Sequence, residues 1–266
     1  MESVKTKMKI TVNCLVKNEE KFVWFAINSV LDWVDEILVW DTGSTDKTVE
    51  IVKSINSSKI KFQEKGVQTR DGLTALRQQM LKISNCDWVM ILDGDEVWHN
   101  KAILNAKCQM INDKYDVFVS PVRMLVGDIY HWQEDRAGKY AIAGKTGHYN
   151  VRFFRRNISG LHLGGAYPNE AYLNGQDVKV QNFPPERILF LDEPYLHASY
   201  LREQNFHESK VKCELGNSFP TDYYYPEVFF KLRPSIVSSP WTKRTSRYFM
   251  KALILSPIKI IKRRLV

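Results

Sequence analysis

The sequence predicts an α/β fold with a mostly parallel central sheet flanked by helices. Its 266 residues are enough for one large domain with a sizeable core, and 44% of them are hydrophobic. Over residues 9–98, short β-rich runs alternate with longer segments whose apolar residues recur at helical spacing. Strands separated by helices are joined by right-handed crossovers, and neighbouring strands are then parallel.

The elements of the first half follow from these two periodicities. The strand segments are short, apolar and rich in β-branched residues, whereas the helical segments repeat apolar residues near i, i+3, i+4 and i+7. The segment DTGSTDKT at residues 41–48 predicts a loop and a helix start, because Asp, Ser and Thr are good N-caps. The predicted strands are residues 9–16, 36–40, 59–62 and 88–92, and the predicted helices are residues 19–33, residues 48–55 and the segment with Leu73, Leu76, Met80 and Ile83.

The alternation weakens after residue 100. Residues 127–150 are polar and contain glycine, which is typical of a mobile loop. The aromatic stretch 200–240 has no clear period. The remaining predictions are a helix at residues 101–112 and strands within 115–126, 151–156 and 188–197.

Polar residues follow directly after three of the predicted strands. They are Lys17–Asn18–Glu19, Asp41 and the pair Asp93 and Asp95. Parallel sheets bind ligands at the carboxyl ends of their strands, so these side chains are expected along one edge of the sheet.

The segment WVMILDGDEVW, residues 88–98, drives an apolar strand into three acids. A hairpin is one interpretation, because Asp-Gly between apolar runs is a strong turn signal. A second interpretation is a haloacid-dehalogenase-type phosphatase, in which Asp93 attacks phosphorus and Asp95 acts as general acid. Against it, that motif normally lies on the first strand of its fold and not on the fourth.

The third interpretation is a divalent-cation site for a nucleoside diphosphate. Carboxylates two residues apart repel each other unless a cation neutralises them. Mg²⁺ and Mn²⁺ prefer carboxylate and phosphate oxygens, so two acids at a strand end can hold a cation that also contacts a diphosphate.

Four motifs occur in order over residues 10–98. They are the Asn18–Glu19 loop with Ser29–Val30–Leu31, the segment Asp41 to Thr48, the pair Ala75 and Arg77, and the pair Asp93 and Asp95. Together they resemble glycosyltransferase family 2, which has the GT-A fold of nucleotide-diphospho-sugar transferases. The variant DTGS and the glutamate after the acid pair resemble the branch of lipopolysaccharide-core β-glucosyltransferases.

The resemblance implies inverting transfer of a sugar from a nucleotide-sugar donor, expected to be UDP-linked, with Mg²⁺ or Mn²⁺. It implies that Asp41 contacts the base or ribose and that Arg77 contacts the nucleotide. Asp93 would lie near the ribose and the metal, and Asp95 would bind the metal directly. Capping by Asp41 and a solvated Arg77 are the structural alternatives.

The second half resembles the same branch less closely. The segment YPNE places Glu170 as the expected general base, ahead of Asp128 and Glu134 on the polar loop. The segment PYLHASYL places His197 as a possible third metal ligand. The alternatives are a surface glutamate and a hydrogen-bonded core histidine.

The expected organisation is a GT-A domain over residues 1–200 followed by a C-terminal extension, residues 201–266. Residues 1–98 would be the nucleotide-binding half of the domain, and residues 99–200 would hold a glycan or lipid-linked acceptor. The expected process is synthesis of cell-surface polysaccharide or glycolipid. A non-catalytic membrane or RNA adaptor on the same fold is a further alternative.

The net charge of +8 lies entirely in the tail from Trp241 onwards, which carries eight basic residues and no acid. Apolar residues between these cations predict a basic amphipathic segment, interrupted at Pro257, that lies on an anionic membrane. No nucleic-acid motif accompanies the charge, so no nucleic acid is expected. The four cysteines are widely scattered, so neither a zinc site nor a disulfide is expected. The sequence shows no signal peptide and no membrane-spanning segment. Together with the basic tail, this predicts a cytoplasmic protein that associates peripherally with the membrane.

Overall fold

The computed structural model describes residues 8–201 and 213–264, which contain five α-helices and fifteen strands. The helices are α1 (Val23–Val30), α2 (Thr48–Lys53), α3 (Arg70–Ile83), α4 (Asn100–Met110) and α5 (Ser246–Arg264). The strands are β1 (Ile10–Val16), β2 (Glu36–Asp41), β3 (Ile60–Glu64), β4 (Trp88–Ile91), β5 (Glu96–Val97), β6 (Val117–Val126), β7 (Asp128–Trp132), β8 (Tyr140–Ile142), β9 (Lys145–Gly147), β10 (Tyr149–Arg155), β11 (His162–Gly164), β12 (Ala171–Leu173), β13 (Ile188–Phe190), β14 (Tyr195–His197) and β15 (Asn217–Ser218).

A mixed sheet of eleven strands organises the described residues. Its main path runs in the order β15, β7, β6, β10, β4, β1, β2, β3. Strands β1 to β4 pair in parallel, and β13 and β14 pair in parallel with β6. Only β10, β7, β15 and the short β5 introduce antiparallel pairs into the described part of this sheet. The predicted α/β class with a mostly parallel sheet is therefore confirmed.

Both faces of the parallel half are buried. Ile37 and Val39 of β2 point into the main core with α1, whereas Leu38 and Trp40 point to the opposite face and pack against α3. A strand that is covered on both faces reads as a continuous apolar run, which explains EILVW and WVMIL in the sequence. Packing on both faces holds β1, β2 and β4 in place. It therefore also positions the polar residues that follow the carboxyl ends of these strands.

The predicted mobile loop at residues 127–150 is wrong in part, because this segment contains β7, β8 and β9. Gly127 adopts a φ of +76°, a left-handed conformation that suits glycine. The chain therefore turns sharply after β6 and pairs β7 back against it. The strands are hard to detect in the sequence because they are short and carry polar residues such as Asp128 and His131.

The C-terminal segment packs back onto the sheet. Strand β15 pairs with β7, and Phe229 contacts Phe25 of α1 with ring centroids 5.3 Å apart. Helix α5 continues through Pro257, so the predicted interruption is wrong. Pro257 is exposed, where the backbone carbonyl that loses its hydrogen bond can reach water. Among the described residues, no helix combines the length and apolarity needed to span a bilayer.

All four cysteines are free thiols. Cys14 and Cys213 are buried, Cys86 is partly buried and Cys108 is exposed. The sequence-based expectation of small buried apolar residues therefore fits two of the four well.

Candidate active site

Asp93 and Asp95 of the DGDE segment lie between β4 and β5, and Glu96 is the first residue of β5; we call these residues the acidic turn. The Glu96 backbone N–H donates to the Asp93 carbonyl oxygen at 3.1 Å, which closes the turn. Strand β5 pairs with β14, and in this register His197 lies directly opposite Glu96. The Ala198 N–H also donates to the Asp95 carbonyl at 2.9 Å. Strand pairing thus brings His197 beside the acids, and its role as a metal ligand stays a prediction.

Arg152 of β10 balances the charge of this turn. Its Nη2 donates to Asp93 Oδ2 at 2.9 Å and also contacts Glu96 Oε1. Its Nε donates to the Tyr195 hydroxyl at 3.1 Å, and Asn150 Nδ2 donates to the same oxygen at 2.7 Å. Buried charges are stable only when they are paired and hydrogen-bonded, and Arg152 supplies both for Asp93 and Glu96.

The shared environment shifts the pKa of each acid differently. Burial raises the pKa of Glu96 to about 7, with Asp93 and Asp95 adding to the rise and Arg152 opposing it. Burial acts in the same direction on Asp93, but Arg152, Arg77 and His197 outweigh it and lower the pKa of that carboxyl. The turn therefore places one carboxyl that ionises readily beside one that resists ionisation.

His197 sits between two carboxylates. Its Nε2 lies 3.2 Å from Asp95 Oδ1, and its Nδ1 lies 3.9 Å from Glu96 Oε1. Burial lowers the pKa of His197, but Asp95 and Glu96 together raise it above its ordinary value. Histidine binds a metal only as the neutral imidazole, so a proton and a cation compete for this ring.

Asp93, Glu96 and His197 each offer a ligand atom, and these atoms all lie within 4.8 Å of one another. Two carboxylates and one imidazole are a donor set that suits Mn²⁺ or Mg²⁺. The sequence pointed to Asp95 in place of Glu96. Asp95 and Glu96 are both completely buried, so burial does not distinguish them. Glu96 is favoured as the second carboxylate because its ligand atom lies within 4.8 Å of those of Asp93 and His197, and a direct ligand role for Asp95 stays a prediction.

Asp41 organises the loop that follows β2. Its Oδ2 accepts the backbone N–H groups of Gly43 at 2.9 Å and Ser44 at 3.0 Å, and its Oδ1 contacts the Ser44 hydroxyl. Gly43 needs its φ of +87°, and a Cβ there would lie 2.9 Å from the Val67 backbone nitrogen. Asp41 therefore has a structural role, because it caps backbone N–H groups of the loop and not those of a helix. A contact between Asp41 and the nucleotide stays a prediction.

Asn18 and Glu19 connect the first loop to this second one. Asn18 adopts a φ of +54°, and its Oδ1 accepts the Thr45 N–H at 2.8 Å. The Glu19 N–H donates to the Thr48 hydroxyl at 2.7 Å. A Cβ on Gly94 would lie 2.8 Å from Glu19 Cγ, so Glu19 packs directly against the acidic turn. The residues that follow β1, β2 and β4 therefore lie side by side. We call this group, which comprises Asn18, Glu19, Asp41 and the acidic turn, the polar wall.

Arg77 and Glu170 are brought together in an ion pair. Arg77 Nε of α3 lies 3.3 Å from Glu170 Oε1, and both side chains are largely buried. Burial raises the pKa of the neighbouring Tyr172 to about 12, and Arg77, Glu170 and Asp93 all affect it electrostatically. Two residues that were predicted for separate tasks, nucleotide binding and proton abstraction, thus share one ion pair.

The weaker candidates for the general base have other partners. Asp128 Oδ1 accepts the Tyr130 N–H at 3.0 Å and lies 2.6 Å from His131 Nδ1. Glu134 Oε1 accepts from Arg263 of α5 at 2.8 Å. Glu170 has a partner as well, Arg77, and its role as general base stays a prediction.

Three residues of the site escaped the sequence analysis. Glu96 was recognised as an acid but given no task, and Arg152 and Tyr195 were not considered. Arg152 does begin the motif RFFRR, which the resemblance quoted, and a buried arginine on a strand is itself a signal, because such charges need partners. No local pattern marks Tyr195, whose role depends on the pairing of β14 with β6.

Known proteins resemble this chain in sequence. The sequence model described as "Glycosyl transferase family 2" matches residues 13–166, more than half of the chain. The chain is 29% identical over 143 residues to the SPbeta prophage-derived glycosyltransferase SunS of Bacillus subtilis, which covers 52% of this chain and 32% of SunS. It is 37% identical over 90 residues to an uncharacterized glycosyltransferase of Rickettsia typhi, covering 33% and 28%. The chain thus spans about a third of these relatives.

A solved structure resembles the fold. S. aureus TarS, residues 1–349, in complex with UDP-GlcNAc, superposes with a TM-score of 0.51 at 20% identity, covering 76% of this chain and 61% of that one. At this identity the likeness concerns the fold, and it agrees with the GT-A architecture expected from the sequence.

Proposed function

The chain belongs to glycosyltransferase family 2, and from this premise we propose that it transfers a sugar from a nucleotide-sugar donor to a glycan or lipid-linked acceptor, with inversion at the anomeric carbon. The observation that carries the proposal is the group Asp93, Glu96 and His197 at the carboxyl edge of a parallel sheet, in the expected order of motifs. A UDP-linked donor is supported by the family and by the ligand of TarS. The process would be synthesis of cell-surface polysaccharide or glycolipid.

Asp93, Glu96 and His197 would hold the divalent cation, Mn²⁺ or Mg²⁺. When bound, such a cation stabilises the negative charge that develops on the departing diphosphate. Asp95 would orient His197 through their 3.2 Å contact, as second carboxylates commonly do for histidine ligands. Arg152 would keep Asp93 and Glu96 in place while the cation exchanges.

The polar wall would form the donor site. Asn18 and Glu19 would line it beside the acidic turn, and Asp41 would contact the base or ribose either directly or by shaping its loop. Asp93 would lie between ribose and cation. Arg77 offers a guanidinium to the nucleotide, and arginine recognises phosphate oxygens in pairs.

Glu170 would act as the general base. As the acceptor oxygen bonds to the anomeric carbon, the hydroxyl proton would pass to the Glu170 carboxylate and the bond to the nucleoside diphosphate would break. Arg77 orients that carboxylate in the structure, with its Nε 3.3 Å away. A single displacement of this kind inverts the configuration of the sugar.

Helix α5 supports a peripheral position on the cytoplasmic face of an anionic membrane. Among the eight cations of the tail, Arg244, Lys259 and Arg263 are hydrogen-bonded to the rest of the domain. The other five cations of the tail are exposed, so the membrane-facing charge is smaller than the sequence implied. Each is worth about 1 kcal/mol near an anionic surface. The five are Lys243, Arg247, Lys251, Lys262 and Arg264.

Donor binding provides the direct test. UDP-glucose, UDP-GlcNAc and GDP-mannose are titrated with and without Mn²⁺ while thermal unfolding is followed, since a ligand raises the midpoint by mass action. One donor should stabilise the protein only in the presence of the cation. Asp93→Asn should weaken this binding at least about 10-fold, as disrupted metal sites do. Cleavage of a phosphomonoester without any donor binding would instead support the phosphatase alternative.

A second arm separates enzyme from adaptor. Glu170→Gln should leave donor affinity near the wild-type value but reduce donor turnover by about 10²-fold or more, the usual contribution of a general base. The exposed Glu186→Gln is the matched control and should change neither quantity. Donor binding with no sugar transfer or donor hydrolysis in the wild-type protein would point to an adaptor.

A further inference from the structure

A cavity lies between β7 and the start of α5. Its volume is about 450 Å³, within the range of small-ligand sites. Its lining combines cations, hydroxyl groups and apolar side chains. The lining residues are Asp128, Tyr130, His131, Lys243, Arg244, Ser246, Phe249 and Met250.

The single carboxylate of the lining is already satisfied. Asp128 Oδ1 accepts the Tyr130 N–H and lies 2.6 Å from His131 Nδ1, and its Oδ2 accepts the Arg244 N–H at 3.1 Å. Arg244 Nη2 lies 3.0 Å from His131 Nε2. Because the guanidinium can only donate, His131 Nε2 accepts and Nδ1 donates to Asp128. The side chains of Lys243 and Arg244 therefore leave the lining positively charged.

The backbone adds to this positive character. Thr245 caps α5, with its hydroxyl accepting the Tyr248 N–H at 3.1 Å, so the first turn is well formed. Ser246 is the first residue of the 19-residue helix and lines the cavity. A helix N-terminus carries a partial positive charge and favours phosphate. Two cationic side chains and the helix end thus face the same space.

The cavity is continuous with an apolar stripe on the exposed face of α5. Phe249 and Met250 line the cavity and are 41% and 57% exposed. Beyond Met250 the exposed apolar residues recur at helical spacing, on the face opposite the docked Ala252 and Ser256. The stripe consists of Met250, Leu253, Ile254, Ile258 and Ile261. A cationic cavity that opens onto an apolar stripe matches a molecule with a phosphate at one end and hydrocarbon at the other.

We propose that this cavity binds the phosphate of an anionic lipid headgroup, while the stripe of α5 contacts the acyl chains. The proposal goes beyond general attraction to an anionic surface, because it assigns a specific headgroup site at Lys243, Arg244 and Ser246. It does not depend on sugar transfer, so it can fail while the proposed function stands, and the reverse also holds.

The test compares two variants that lose the same charge. Sedimentation with phosphatidylcholine vesicles, with and without phosphatidylglycerol, measures vesicle affinity. Lys262→Ala, at the far end of α5, should weaken binding about 5-fold through surface electrostatics. Lys243→Ala should weaken vesicle binding at least about 20-fold. High salt should abolish the effect of Lys262→Ala but only part of the effect of Lys243→Ala. Ser246→Glu, an acid that a helix N-terminus tolerates, should also reduce binding.

Site occupancy is followed by NMR in the full chain. Dihexanoyl-phosphatidylglycerol below its micelle concentration should shift the His131 ring resonances, and dihexanoyl-phosphatidylcholine should shift them much less. Equal losses in Lys243→Ala and Lys262→Ala, or no shift at His131, would overturn the proposal. Glycerol phosphate binding as tightly as the lipid would also overturn it, because the ligand would then be a soluble phosphate.

Discussion

Glu96 is completely buried in the acidic turn. Its carboxyl group is stabilised there by contacts with a few side chains. Arg152 reaches Glu96 and Asp93 with one nitrogen, and His197 lies near the same group. Burial raises the pKa of Glu96 to about 7, so this carboxyl is costly to ionise even with its partners. The three acids of the turn therefore persist because Arg152 and His197, which come from distant strands, lie against them.

Replacing Arg152 tests this balance at the level of one residue. Arg152→Met removes the guanidinium but keeps an apolar stem, which leaves Glu96 and Asp93 without their main partner. We expect a loss of about 3 kcal/mol in the free energy of unfolding, the range for a broken buried pair. Urea unfolding measures it.

The control is Arg123→Met. Arg123 pairs with Asp135 at 2.6 Å, but Asp135 is 72% exposed and Arg123 is 33% exposed, so water screens this pair. Its loss should cost less than about 1 kcal/mol. Equal losses in the two variants would mean that Arg152 does not stabilise the turn.

At the scale of single elements, strands of only two or three residues decide the composition of the site. β5 has two residues and β14 has three, yet their pairing sets His197 opposite Glu96. Below them Trp98 stacks on Tyr195 with ring centroids 4.5 Å apart. Buried aromatic packing of this kind holds both strands rigidly. A one-residue slip in this register would turn His197 away from the acids.

Helix α5 is docked by a buried ion-pair group. Glu214 accepts from Arg263 Nη2 at 2.6 and 2.8 Å and from Gln133 Nε2 at 2.9 Å, and Lys259 Nζ lies 3.5 Å away. Burial opposes ionisation of Glu214, but these partners outweigh it and lower its pKa below the ordinary 4.5. The contact therefore stabilises docking of the ionised form.

The sign of this shift predicts how docking depends on pH. Stabilisation by Glu214 is fully present above its unfolded pKa near 4.5 and is lost as pH falls through the lower folded pKa. Docking of α5 should thus be constant near neutral pH and weaken below about 4.5. Cys213 lies beneath α5, with its Sγ 3.6 Å from the Tyr248 carbonyl oxygen, so its labelling by an acid-active pyridyl disulfide reports undocking.

The matched variants are Glu214→Gln and Glu64→Gln. In Glu214→Gln, Cys213 should be labelled faster already at neutral pH. The increase in labelling rate on acidification should be lost. Glu64 forms an exposed pair with Lys53, and its replacement should leave Cys213 protected. If the acid-induced increase in Cys213 labelling persisted in Glu214→Gln, titrating groups other than Glu214 would be responsible for it.

At the scale of the whole molecule, the C-terminal segment shares a core with the first helix. Phe229 is 2% exposed and contacts Phe25 and Trp241, whereas the adjacent Phe230 is 64% exposed. Val228 and Val237 join the same core. The boundary near residue 200 stays a prediction, but residues 213–264 are not packed as a separate body.

Truncation of the two phenylalanines distinguishes shared from separate packing. Phe229→Ala should lower the free energy of unfolding by about 3 to 5 kcal/mol, the usual cost of emptying a core position. Phe230→Ala should change it by less than about 1 kcal/mol. Hydrogen exchange of the α1 amides should accelerate in Phe229→Ala alone. Unchanged protection of α1 would mean that the C-terminal segment unfolds independently.

Local sequence patterns were sufficient to predict the alternation of strands and helices in the first half and the sheet edge at which the polar residues lie. Apolar periodicity and capping residues are local, so they place Asp41 and Asp93 after their strands without any knowledge of the fold. Order along the chain also separated a transferase from a phosphatase, since the acids follow the fourth strand. These features depend on neighbours within a few residues.

The tertiary structure alone decided which side chains touch. Arg152 and His197 lie 56 and 101 residues from Glu96 in the chain, and only strand pairing brings them within contact distance. The ion pair of Arg77 with Glu170 and the docking of α5 through Glu214 are equally remote. Charge balance acts over a few ångströms in space, and no periodicity in the sequence records such distances.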